Sequence, residues 1–175
     1  LIILATSMTS LASKTKEAKG LLPEVNLNSE SEDKNLDTAY KSELLITKTE
    51  NKAIESLQKI IAKKKGTVEE ADLLYRLAEL YMRRAKSGRF FDLNSDQKKA
   101  AVSQTAAEAL NAAIKIYDSI LIRFPKYANT DAVHFHIALA SLQTKQVEKA
   151  KAHYTKIVTD FQKSNLYPDA LLELG

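Results

Sequence analysis

Cysteine is absent from all 175 residues, which excludes disulfides, thiol catalysis, thiolate metal sites and cysteine-linked lipidation within this chain. Glycine and proline are scarce, at four and three, too few for the many tight turns of an all-β sandwich. The longest apolar stretch is too short to span a bilayer, so no transmembrane segment is expected. No glycine-rich phosphate loop, nucleophile elbow or paired-carboxylate motif occurs. The chain reads as non-catalytic, with no cofactor and no metal expected.

What remains is helix-forming material. Alanine, leucine, lysine and glutamate dominate, and these favour helix over strand. Charged residues make up 27%, as in an ordinary folded soluble chain, and the length suits one domain or an elongated helical array. The formal net charge of +4 raises nucleic acid as a partner. Part of the excess, however, is the run Lys63-Lys64-Lys65, which reads as a solvated helix terminus where cations meet the negative end of the dipole. The arginine-and-aromatic face of a nucleic-acid binder is missing, so none is expected.

The chain divides by pattern. Residues 1–13, opening on Leu1-Ile2-Ile3-Leu4-Ala5, read as the tail of a secretory signal: an apolar stretch running into small residues. Export, to a periplasm or cell envelope, is the matching expectation. Residues 14–33 are polar and carry Gly20, Pro23 and Asn26, the composition of a flexible leader. Residues 34–175 carry helical periodicity throughout.

Leu36, Tyr40 and Leu44 line one face of a first segment, and Ala53, Leu57, Ile60 and Ile61 mark a second, stopping at Lys65-Gly66. Thr67 with Glu70 matches a capping box. The helix it opens carries Leu74, Leu77, Ala78 and Tyr81 and is expected to close at Ser87-Gly88, leaving Arg89 to Asn94 as a loop whose Phe90, Phe91 and Leu93 tuck inward. Ser95 or Asp96 is the expected cap of a long helix ending at Phe124-Pro125. Further helices are expected over about Thr130–Thr144 and Val147–Phe161, with a last one from Pro168.

A single offset connects these segments. Ala113 and Ala150, Tyr117 and Tyr154, Ile120 and Ile157, and Phe124 and Phe161 each lie 37 residues apart, and the same step carries Ile137-Ala138 onto Leu174-Gly175. An offset of 60 relates Leu77-Ala78 to Ile137-Ala138, and Ala53 and Ile60 to Ala113 and Ile120. One period plus an insertion of 23 residues between Ser87 and Leu110 accounts for it.

These residues resemble the tetratricopeptide repeat family. Leu77-Ala78 with Tyr81, Ile137-Ala138 and Leu174-Gly175 are similar to its first-helix pairs, Ala113 with Tyr117 and Ala150 with Tyr154 to its second helices, and Pro125 to its closing proline. Ser141 and Gln162 depart from the pattern, the usual tryptophan is missing, and the period exceeds the family's roughly 34 residues. The segments around Tyr117–Pro125, Tyr154–Phe161 and Tyr167–Gly175 are further similar to repeats of bacterial envelope proteins, such as outer-membrane assembly lipoproteins, the Tol–Pal coordinator and gliding-motility proteins. The resemblance implies an all-α fold of stacked antiparallel helical hairpins, a tetratricopeptide-like α-solenoid. It also implies a scaffold that holds a protein or peptide partner, with Tyr75, Glu79, Arg83, Phe135 and Leu139 facing the ligand groove.

Two other readings compete with it. A structural role, stacking with copies of itself or within an envelope or motility machine, follows from the exposed stripe Leu171, Leu172, Leu174. The same ending, inside the first helix of a hairpin, predicts a longer protein. An enzyme or metal protein would have to use His134-x-His136. That spacing turns the rings about 200° apart on a helix, so one ion cannot readily take both. His153 is the only other histidine able to join either.

Overall fold

The computed structural model describes residues 29–93 and 105–175, with side chains from Lys34 onward. Six helices follow one another: α1 (Ser29–Lys64), α2 (Glu70–Leu93), α3 (Ala106–Arg123), α4 (Thr130–Gln143), α5 (Val147–Asp160) and α6 (Tyr167–Leu174). Each packs mainly against the next in sequence, as antiparallel neighbours. The expected signal segment lies outside the described residues, as does most of the leader. None of the described helices is long and apolar enough to cross a membrane.

The 37-residue step in the sequence is also a step in the structure. Helix α3 ends at Arg123 and α5 at Asp160, while α4 begins at Thr130 and α6 at Tyr167. Phe124 and Phe161 close the two helices identically, each N–H donating to the carbonyl of the isoleucine four residues back (2.8 and 2.9 Å). Ala113 and Ala150 are wholly buried, which lets neighbouring helices approach, and Tyr117 and Tyr154 fill the space beside them. The core is two linked clusters: one built on α2, α3 and α4, the other on Ala138, Ala150, Tyr154, Ile157 and Ala170.

The earlier offset is followed less evenly. Leu77 and Ala78 are buried like Ile137 and Ala138, but Ile60 is 46% exposed where Ile120 is fully buried. Helix α1 is one continuous run of 36 residues that, among the described residues, packs chiefly against α2. The two segments expected before Gly66 are therefore one helix, and it begins at Ser29.

Three local expectations are corrected. Thr67 and Glu70 do not form a capping box: Glu70 Oε2 accepts from Gly66 N (2.6 Å), and Thr67 Oγ1 donates to the Lys64 carbonyl (2.8 Å). Ser87-Gly88 does not end α2, which continues to Leu93. Gly88 serves a close helix approach, since a Cβ there would stand 2.7 Å from Ala106 N. Phe90 and Phe91 do tuck inward as expected, onto Tyr40 of α1, but Leu93 is 84% exposed. Finally, α3 is capped by Thr105, whose Oγ1 accepts from Glu108 N (3.2 Å) while Glu108 accepts from Thr105 N (2.8 Å). Ser95 and Asp96 lie outside the described residues.

The insertion is thereby located. Helix α2 has 24 residues where α4 has 14, and α3 has 18 where α5 has 14; the rest lies in the α2–α3 connection.

Candidate functional site

Helices α2 and α4 both pack on α3, and residues of all three line a cavity of about 400 Å³. Its aromatic floor follows from the repeat. Tyr117 of α3 stacks on His136 of α4 (centroids 5.6 Å, 11° between planes), and Tyr75 of α2 meets both edge-on at 5.7 and 5.9 Å. Burial pushes the Tyr117 and Tyr75 hydroxyls up, Tyr75 to about 12. Burial also lowers His136, with the Glu79 carboxylate opposing, so its ring is neutral near pH 7. The floor is thus uncharged and apolar, with hydroxyls that stay protonated.

The walls carry the charge. Helix α2 contributes Glu79, Met82, Arg83, Lys86 and Arg89, and α4 contributes Leu139 and Gln143. Arg89 Nη1 donates to Gln143 Oε1, joining the two helices at one end of the groove. Three cations against one carboxylate make this lining positive.

Of the residues expected to face a ligand, Glu79, Arg83 and Leu139 line the cavity together. Tyr75 sits lower, half-buried among Tyr117, Tyr127 and His136. Phe135 points elsewhere. It packs on Tyr154 of α5 (5.7 Å) as part of the second cluster, because one residue's step from His136 turns it about 100° around α4. Arg89 escaped sequence reasoning because the helix was expected to stop at Ser87-Gly88, and Lys86 because it stood at the very end of that expected helix. The signal that reveals them is the arginine and lysine spacing at 83, 86 and 89, which puts them on one face once α2 is continuous.

The histidines separate as their spacing requires. His136 joins the groove, while His134 turns to α5, where its Nδ1 lies 2.8 Å from His153 Nδ1. Among the described residues, no group of three or more histidines and carboxylates is arranged to hold a metal ion. No family model, curated protein or solved structure matches the chain.

Proposed function

We propose that this chain is a non-catalytic protein-interaction scaffold of tetratricopeptide type, working in a bacterial cell-envelope complex, that seats a peptide segment between α2 and α4. The observation that carries this reading is the groove itself: an aromatic floor under a wall of three cations and one carboxylate. Its volume falls within the range of ligand pockets. Aromatic side chains give apolar contact at small entropic cost, and the cations reward a carboxylate-bearing partner. The 37-residue step and the paired small and aromatic residues support the repeat assignment, and the apolar start of the chain supports export.

The test is a peptide array probed with the folded protein. Peptides combining apolar and acidic residues are expected to bind, and lysine-rich ones not. Arg83→Glu with Lys86→Glu is expected to weaken capture at least tenfold while leaving the helical circular dichroism unchanged. Both residues are exposed, so folding should tolerate the reversal. Undiminished affinity in the folded double variant would remove the groove from consideration.

A self-assembling role is the second reading, favoured by Leu171 and Leu172 of α6, which are 50% and 79% exposed. Light scattering over a concentration series separates the two: a monomer at every concentration argues against self-stacking.

A further inference from the structure

A histidine of α4 and a histidine of α5 meet between those two helices. His134 and His153 approach through like atoms, Nδ1 to Nδ1 at 2.8 Å, with ring centroids 5.0 Å apart and planes inclined at 44°. Both rings are half-buried, and Phe161 covers one side of His134 at 5.9 Å. Two like nitrogens at this separation make a hydrogen bond only if one carries the proton and the other does not. Moving that proton to Nε2 leaves a bare lone pair on each of the two nitrogens.

We propose that His134 and His153 are a two-nitrogen site for a divalent transition-metal ion, of the copper(II) kind. With metal–nitrogen bonds of about 2.0 Å, a right angle at the metal separates its nitrogens by about 2.8 Å, whereas a tetrahedral angle needs about 3.3 Å. The observed spacing suits adjacent corners of a square-planar site, the geometry that copper(II) prefers and zinc(II) does not. Water completes the remaining corners.

The surroundings suit a dication. Asp118 of α3 acts on both rings, and Asp131 and Asp160 act on His134; Lys149 and Lys156 oppose them. Lys149 is already paired with Asp118 (2.8 Å), and Lys156 with Asp160. Three carboxylates against two ammonium groups leave a negative local balance. In acid the ion must compete with protons, and affinity falls.

The experiment is a titration of the full 175-residue chain with copper(II) chloride at pH 7.5, followed by electron paramagnetic resonance. One ion per chain with coupling to two nitrogens is expected. His134→Asn and His153→Asn should each weaken binding at least tenfold with the helical circular dichroism retained. Should either variant unfold, copper with ascorbate and peroxide oxidises ligand histidines of the native chain, and mass spectrometry locates them. Oxidation at His134 and His153 supports the site. Absence of the two-nitrogen signal, wild-type affinity in the folded variants, or oxidation centred on His136 or the amino terminus overturns it.

Discussion

Glu70 shows how much one side chain is asked to do. It is 2% exposed, yet it accepts from Gly66 N at the end of the α1 turn and from the Arg123 guanidinium at the end of α3. These two hydrogen bonds hold its carboxyl below the usual range. Glu70→Gln keeps the shape and loses the charge, so we expect a lower urea midpoint than wild type, and Arg123→Ala should lower it too. Tyr154 is the opposite case. Its hydroxyl is buried without a partner, and a buried polar group that makes no hydrogen bond costs free energy. Tyr154→Phe is therefore expected to leave stability unchanged or raise it by up to about 1 kcal/mol, by equilibrium urea unfolding. The histidines set a pH dependence. Burial lowers all three from 6.5, His153 to about 4, so the unfolded chain binds protons that the folded one refuses. Their contribution is full above about pH 6.5 and declines as pH falls toward 4. The melting temperature should fall over that window. His153→Asn should flatten the part between pH 6.5 and 5, where carboxylates are still ionised.

Among the elements, the two Thr-x-x-Glu sequences are instructive. Thr67 to Glu70 and Thr105 to Glu108 have the same spacing, but only the second makes the reciprocal hydrogen bonds. The difference is in large part tertiary: Arg123, 53 residues on, claims Glu70 together with the nearby Gly66 N–H, and the arginine is not visible from the local sequence. Thr105→Ala should cost about 1 kcal/mol in chemical denaturation. Gly88 makes the same point about helix ends. Read alone, Ser87-Gly88 is a stop, but the glycine lies where the start of α3 crosses α2. Gly88→Ala would gain roughly 1 kcal/mol of helix propensity. The new Cβ would meet backbone at 2.7 and 2.9 Å, and overpacking of that kind costs about 1–3 kcal/mol. We expect a net loss of stability. Helices α3 to α6 were legible because Phe124-Pro125, Phe161 and Pro168 punctuate them at the repeat interval. The groove was legible only in part: Glu79, Arg83 and Leu139 follow from helix phase, whereas Arg89 depends on the continuation of α2.

Over the whole molecule, helix follows helix and each is covered chiefly by its sequence neighbours. Helix α3 has partners on both sides and carries Ala109, Ala113, Tyr117 and Ile120 with no exposed surface. Among the described residues, helix α1 packs chiefly on α2. Hydrogen exchange should therefore be slowest in α3 and faster along α1, a gradient that a single cooperative globule would not show. Uniform protection across the helices would contradict it.

The packing of each helix mainly on the next also bears on how such a chain would yield to a pull. Where no distant segments are zipped together, tension applied at the ends has no single clasp to break, and units can come away one after another. A stretch of 37 residues, the interval from the end of α3 to the end of α5, would pay out chain on the order of 120 Å at full extension. A molecule built this way can lengthen in instalments while the hairpins still folded keep their grip.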